Sequence, residues 1–287
     1  MTGKALMNAK CIEAAIRGLP AFPAVITKLI QETERDDVSV NEVERLICSD
    51  QELASKILKI VNSSYYGMPA QVGTIGQAIV ILGLRQVRNL VLGVHALNVI
   101  APAGLKNQPR LTLLWNESLG TAIGSRIIAK HKAIGEVEIE HVYVGGLLRR
   151  IGKLFLFGYF EEKLEECEKV VERWGLPEID AQKQILGLNH YDIAGMLADN
   201  WNLPAQLRSY LSFIEVPEGG SEVDSYRVID AATASFSLDK QGEFVPLDPS
   251  HPSILWAGFS APEWDWIKRE VQITVQSMNQ LVGFAAA

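Results

Sequence analysis

Residues 144–152 read Val-Gly-Gly-Leu-Leu-Arg-Arg-Ile-Gly, and apolar residues continue behind them. Apolar side chains recur here at spacings of three and four, which predicts a helix with a buried face. Arg149 and Arg150 lie in its middle and project about 100° apart. A helix packed on several sides cannot expose both, so we expect at least one buried guanidinium, partnered by a carboxylate or a bound anion. Alternatively, both side chains extend along the polar face into solvent.

The composition is that of a folded protein with a sizeable core. The chain has 287 residues, of which 48% are hydrophobic and 21% charged, which suits one large domain or two small ones. Its formal net charge is -7. General nucleic-acid binding needs a basic surface, so we expect no direct contact with nucleic acid.

Cysteine usage and hydropathy favour a cytoplasmic protein. Cys11, Cys48 and Cys167 are odd in number and far apart, which predicts neither a disulfide framework nor a zinc knuckle. No signal peptide pattern opens the chain, and no run of 18 uncharged apolar residues occurs in it. We therefore expect no membrane segment and a reducing compartment.

Apolar spacing predicts an all-α fold. The predicted helices are residues 11–17, 24–34, 40–48, 51–61, 74–83, 85–100, 113–129, 138–160, 161–174, 179–186, 191–201, 204–214, 226–237 and 262–284. The segment 138–160 is expected to be interrupted or bent at Gly145-Gly146. Residues 241–260 are expected to be irregular. Residues 101–109, rich in glycine and proline, mark the clearest internal boundary.

Several motifs, in this order and spacing, resemble one known family. They are Leu19-Pro20 with Pro23, Ser49-Asp50 with Leu53, Asn62-Ser63, residues 78–83 (Ala-Ile-Val-Ile-Leu-Gly), residues 114–118 (Leu-Trp-Asn-Glu-Ser), residues 146–152, residues 187–190 and residues 201–204. Together they resemble the HDOD domain, the HD-related output domain of bacterial signalling proteins and an offshoot of the HD-type metal phosphohydrolases.

The resemblance covers residues 12–235 and implies a two-part helical fold. Residues 12–104 would form an N-terminal helical bundle that packs on a degenerate HD-type bundle of residues 110–235. Residues 236–287 would be a C-terminal extension with a terminal helix. Its three tryptophans, which we expect to cluster either as a partner surface or in the core, are Trp256, Trp264 and Trp266.

The resemblance also locates the positions of a metal site. Catalytic HD proteins bind a divalent metal through a first His, an adjacent His-Asp pair and a distal Asp; the matching positions here are Glu117, Arg149-Arg150 and Asp230. A guanidinium has no lone pair to offer a metal. We therefore expect no metal, no cofactor and no catalytic residue at this vestigial site. We hypothesise that an arginine–carboxylate cluster replaces the metal and holds the helices in register.

Four other residues of the family motifs are interpreted as structural. Asp50 is expected to cap a helix, and Asn62 to end that helix in a left-handed conformation while its amide bonds free carbonyls. Ser63 follows Asn62, and this pair could instead bind a ligand. His190 is expected to cap or pack at the start of a helix, although it could be a remnant of a site.

Three functions follow from these patterns. The favoured one is a non-catalytic bacterial signal-transduction module that binds signalling proteins in trans: a kinase, a response regulator or a cyclic-dinucleotide enzyme. The second is a metal-dependent phosphohydrolase of HD type that acts on a nucleotide or cyclic dinucleotide. The third is a sensor in which Arg149, Arg150 and Lys153 bind a nucleotide or another anion without cleaving it.

Overall fold

The computed structural model describes residues 3–20, 29, 39–62, 68, 70–100 and 109–282. In these residues the regular structure is helical, and the β structure is limited to one isolated bridge between Leu238 and Phe244. The predicted all-α fold is confirmed. Pro23, the predicted helix 24–34, Ser63 and residues 101–108 of the predicted boundary lie outside the described residues.

The helices before residue 101 are α1 (Gly3–Arg17), α2 (Val40–Cys48), α3 (Gln51–Val61), α4 (Ile75–Leu82) and α5 (Leu84–Ile100). Those after it are α6 (Pro109–His131), α7 (Glu136–Leu148), α8 (Ile151–Tyr159), α9 (Glu161–Trp174), α10 (Glu178–Leu186), α11 (His190–Asn200), α12 (Ala205–Ser212), α13 (Val223–Ser235), α14 (Pro252–Ala257) and α15 (Ala261–Val282). The short helix α14 lies in the segment predicted to be irregular, so that part of the prediction is wrong. Pro252 supplies the first residue of this helix, where its missing N–H is harmless.

Asp50 and Asn62 mark the two ends of α3. Asp50 caps the helix as predicted, because its carboxylate accepts from the Leu53 amide at 3.0 Å. Asn62 has φ -82°, so its predicted left-handed conformation is wrong. Its Nδ2 donates to the Leu58 and Val72 carbonyls at 2.8 and 2.9 Å, and its Oδ1 accepts from the Val72 amide at 2.7 Å. Asn62 thus ties the end of α3 to the segment that leads into α4.

The break in the helix predicted for residues 138–160 occurs after the two glycines. Helix α7 continues through Gly145 and Gly146 to Leu148, and Arg149 and Arg150 form the turn before α8. A Cβ atom on Gly146 would lie 2.9 Å from the Thr121 carbonyl oxygen of α6. Gly146 therefore permits close packing of α6 on α7, and a Cβ atom on Gly145 would meet Ile229 of α13 and Tyr210 of α12. The predicted interruption occurs after Leu148, and the prediction of a bend at the glycines is wrong.

Helix α6 is the centre of the fold. It is buried along most of its length and contacts α7, α8, α13 and α15. The C-terminal helix α15 packs on α6 and on α3, and so joins the two halves of the chain. The buried side chains of its predicted apolar face are Trp264, Ile267, Val271, Val275 and Met278.

The three tryptophans of the C-terminal extension lie in different environments. Trp264 is buried against Phe236 and Phe259, and Trp266 is exposed. Trp256 lies under the Lys132 ammonium and the Arg227 guanidinium, at 4.6 and 5.7 Å from the ring centroid. The predicted aromatic cluster is therefore wrong: one ring fills the core and the other two do not share its environment.

In the described ranges, no single helix is long and apolar enough to cross a membrane. The bent pair Ile75–Leu82 and Leu84–Leu92 passes the length and composition test only as two helices that meet at 117°.

Candidate functional site

Arg149 binds the C-terminal end of α12. Its Nη1 donates to the carbonyls of Tyr210 and Leu211, both at 3.0 Å, and its Nη2 donates to the carbonyl of Phe213 at 2.7 Å. The last carbonyls of a helix have no partner within it and carry the negative end of its dipole. The guanidinium, on a side chain only 2% exposed, therefore caps this helix end.

Two aromatic rings enclose the same guanidinium. The Arg149 Cζ lies 3.9 Å from the centroid of Tyr191 and 3.8 Å from that of Phe213. Burial lowers the pKa of Arg149 to about 10, against the opposing effects of Tyr191 and Asp230, so the group is still charged at neutral pH. Cation–π contacts are strongest when desolvated, as here. The buried charge is thus balanced by carbonyl dipoles and ring faces, and no carboxylate of the described ranges forms an ion pair with it.

Arg150 forms the one arginine–carboxylate contact of the predicted cluster. Its Nε lies 3.2 Å from Glu117 Oε2, and both side chains are about nine-tenths buried. Its Nη2 donates to Ser237 Oγ at 2.8 Å, while Glu117 Oε1 accepts from the Leu238 amide at 2.8 Å. The pair therefore connects α6, the turn between α7 and α8, and the chain that follows α13.

Asp230 does not take part in this pairing. Its Oδ2 accepts from Ser253 Oγ at 2.6 Å and lies 3.8 Å from His251 Nε2. The hypothesis that two carboxylates pair with the two arginines is thus correct for Glu117 with Arg150 and wrong for Asp230 with Arg149. Asp230 instead links α13 to α14.

Lys153 and His190 belong to one chain of hydrogen bonds, which is half-buried at Lys153 and Glu178 and buried at Gln182 and His190. The Lys153 ammonium lies 2.9 Å from both carboxylate oxygens of Glu178, and Glu178 accepts from Gln182 Nε2 at 3.1 Å. Gln182 Oε1 in turn accepts from the backbone amide of His190 at 2.9 Å and lies 2.8 Å from its Nδ1. Helix α8 also lies close to the start of α11. Gly152 allows this close approach, because a Cβ atom on it would overlap the His190 carbonyl oxygen.

These contacts fix the state of His190. Gln182 Oε1 already accepts from an amide N–H, so Nδ1 donates to the same oxygen and Nε2 keeps the lone pair. Burial lowers the pKa of His190 to about 3; Glu178 opposes the shift, and Lys153, Arg150 and Arg149 add to it. The imidazole is therefore neutral and opens α11, where Asn189 is the capping residue.

The residues at the vestigial site do not fit a divalent metal. Two of the four positions hold guanidinium groups, which cannot ligate, and Glu117 and Asp230 are each engaged elsewhere. Among the residues that the structure describes, no three His, Cys, Asp or Glu side chains are grouped so that they could hold a metal. The arrangement is one of helix ends held by buried cations.

The sequence indicated the arginines but not most of their partners. Arg149 binds the backbone carbonyls of Tyr210, Leu211 and Phe213, and the side chains of these residues do not predict that their carbonyls bind an arginine. Glu178 and Gln182 lie on the same face of α10, at a spacing of four, and that spacing could have identified them as a pair facing Lys153.

Comparisons with known proteins agree with this fold. The profile of the HDOD domain matches residues 19–217. An uncharacterized protein of Treponema pallidum (strain Nichols) is 27% identical over 206 residues, which are 71% of this chain and 39% of that protein. The chain thus spans about two fifths of the length of the curated relative it matches.

Solved structures show the same architecture at low identity. An HDOD domain protein of unknown function from Geobacter sulfurreducens is 20% identical with a TM-score of 0.74, over 96% of this chain and 98% of the other. A protein from Marinobacter aquaeolei VT8, named as a candidate signal transduction protein, is 17% identical with a TM-score of 0.73, over 93% and 60%. A candidate phosphohydrolase from Shewanella amazonensis SB2B is 20% identical with a TM-score of 0.66, over 96% and 93%. With a family profile that matches more than half of its residues, this chain belongs to the HDOD domain family.

Proposed function

We propose that this chain is a non-catalytic regulatory module of bacterial signal transduction that acts by binding other proteins. One observation carries the proposal. Arg149 and Arg150, at the positions where hydrolytic HD proteins hold central metal ligands, are buried and bonded to helix ends, to Glu117 and to Ser237. A site built in this way stabilises a fold and offers no lone pair for a metal.

The family and its solved members support a signalling role. One structural neighbour is named as a candidate signal transduction protein, and the chain shares its fold. The proposed partners are a kinase, a response regulator or a cyclic-dinucleotide enzyme, contacted through helical surfaces in the cytoplasm.

The contacts of Arg149, Arg150 and Lys153 do not favour a metal-dependent phosphohydrolase or an anion sensor at this site. Arg149 donates three hydrogen bonds to carbonyls, Arg150 is bonded to Glu117 and Ser237, and Lys153 is paired with Glu178. An anion at the pair would have to displace these partners. A metal-dependent hydrolase would need ligands other than those at the vestigial site.

Metal analysis and a hydrolysis assay test the non-catalytic role. The purified chain, supplied with Mn²⁺ or Mg²⁺, should hydrolyse bis(4-nitrophenyl) phosphate and cyclic dinucleotides no faster than its Glu117→Gln variant. Elemental analysis should show no stoichiometric transition metal. Bound metal together with turnover that is lost in Glu117→Gln would refute the proposal in favour of the hydrolase.

A crosslinking experiment tests the partner. The folded chain, used as bait in its host cells, should be crosslinked to a signalling protein, and the two purified proteins should then bind directly. Direct binding with a micromolar or tighter Kd is expected. Recovery of crosslinked proteins that never bind the purified chain would contradict a role in trans.

A further inference from the structure

A cleft lies between α5, α7 and α12, and it shares one residue with the Arg149 site, because Tyr210 lines it and the carbonyl of Tyr210 accepts from Arg149. Its volume is about 270 Å³, near the lower end of the range for small-molecule sites. Helix α5 contributes Arg85, Arg88, Asn89 and Leu92, at the spacing of one helix face. The remaining lining residues are Val137, His141, Val144, Pro204, Gln206, Leu207 and Tyr210.

The lining is cationic although the protein is acidic. Two arginines line the cleft, and none of its described lining residues is Asp or Glu, while the whole chain has a net charge of -7. His141 also lines it, and burial together with Arg88 lowers the pKa of this imidazole, which is therefore a neutral hydrogen-bonding group. Among the described residues, three acids lie near the lining. Glu140 binds Arg126 and Asn89, Glu222 accepts from the lining residue Gln206, and Glu138 acts on His141 through its charge. The cleft therefore attracts negative charge.

Two of the polar side chains have spare hydrogen-bonding capacity. Arg85 is exposed and makes no hydrogen bond or ion pair with any described residue, and the imidazole of His141 makes no hydrogen bond with them either. Arg88 is 7% exposed, and its Nε donates to Asn89 Oδ1 at 3.3 Å. This arginine is thus held in place at the wall of the cleft.

The other walls are apolar. Val144, Leu207 and Tyr210 offer apolar surface beside the cations, and burial raises the pKa of Tyr210 to about 12, so its hydroxyl is uncharged. A few placed polar groups beside apolar walls are the usual make-up of a small-molecule site. An inorganic ion alone would leave the apolar walls uncovered, whereas a neutral molecule would leave the charge of the exposed Arg85 without a counterion.

We propose that this cleft binds a small organic anion, with a phosphate or carboxylate group held by Arg85, Arg88 and His141 and an apolar body against Leu207 and Tyr210. Such a ligand bridges α5 of the first half of the chain to α7 and α12 of the second. Its binding favours the packed arrangement of these helices. This site goes beyond the proposed role in protein binding and does not depend on it.

Calorimetric titration of the full chain with four small probes tests the site. Phenyl phosphate and benzoate share an aromatic body and differ in the anionic group. Inorganic phosphate supplies only the anionic group, and phenol supplies only the aromatic body. We expect phenyl phosphate or benzoate to bind with a Kd of ~1 mM or below, about tenfold tighter than inorganic phosphate or phenol. The stronger of the two identifies the anionic group.

Two matched variants locate the binding. Arg85→Gln removes an exposed cation of the cleft, and Arg269→Gln removes an exposed arginine of α15 that does not line it. Arg85→Gln should weaken the better probe roughly tenfold, and Arg269→Gln should leave its affinity unchanged. The proposal is overturned if neither aromatic anion binds saturably up to ~10 mM, or if Arg85→Gln binds the better probe as tightly as the unaltered chain does.

Discussion

Two pairs of arginines in this molecule lie in contrasting surroundings. Arg149 and Arg150 occupy a turn between two helices, where they are 2% and 8% exposed and bonded to protein atoms. Arg85 and Arg88 lie one turn apart on α5 and line an open cleft. The first pair is part of the internal structure, whereas the second borders a space that a ligand can occupy, with Arg85 exposed and Arg88 as buried as Arg150.

The difference arises from what each pair faces. Arg149 meets the terminal carbonyls of α12, and Arg150 meets Glu117 and Ser237, just beyond the end of α13. Helix ends supply acceptors that the helix itself cannot satisfy. Arg85 and Arg88 lie on one face of α5 and border a cleft whose other walls come from α7 and α12. A buried cation is therefore stable where a helix end supplies acceptors, whereas the exposed Arg85 makes no hydrogen bond or ion pair with any described residue.

The largest expected effect is that of Arg149→Met. The variant leaves three buried carbonyls without their donor, so we expect its free energy of unfolding to fall by about 3–5 kcal/mol. Arg85→Gln, on the cleft, should change it by less than about 0.5 kcal/mol. Urea unfolding of both variants measures the contrast. Equal effects would remove the distinction between the two pairs.

A smaller effect is expected from protonation of His190. The pKa of His190 falls from 6.5 to about 3 on folding, so below pH 6.5 the unfolded state binds a proton that the folded state does not. The contribution of neutral His190 to the free energy of unfolding is fully present above pH 6.5. As the pH falls towards 3, that free energy decreases by up to ~1.4 kcal/mol per pH unit. His190→Gln should reduce the slope of unfolding free energy against pH between pH 6 and 5 by about this amount. Parallel curves for variant and unaltered chain would show that His190 is not held neutral by folding.

Much of the fold follows from the spacing of apolar residues. The charged pattern of residues 161–174 predicts α9 with the bounds that the structure shows, and the apolar stripe of the last helix is the face that packs on α3 and α6. The break after Leu148 could not be predicted in this way. Gly145 and Gly146 suggested a bend, yet they are small because other helices lie against them: α12 and α13 at Gly145, and α6 at Gly146.

The arginine site was predictable in its residues and only partly in its contacts. Burial of at least one guanidinium follows from the position of both on an apolar helix, and in the structure both are buried. The partner of Arg150 is a side chain, Glu117, at a family motif position. The partners of Arg149 are backbone carbonyls, which every residue carries, so the sequence alone cannot identify them.

The central claim is that the ion pair of Arg150 and Glu117 holds α6, the turn between α7 and α8, and the chain after α13 together. The family resemblance assigns this position to a metal in the hydrolytic proteins. A double-mutant cycle on Glu117→Gln and Arg150→Met, measured by urea unfolding, tests this claim most directly. Because the pair is buried, we predict that it stabilises the fold with a coupling free energy of about 1.5–3 kcal/mol. A coupling below about 0.5 kcal/mol would contradict the claim, because the two side chains would then contribute independently.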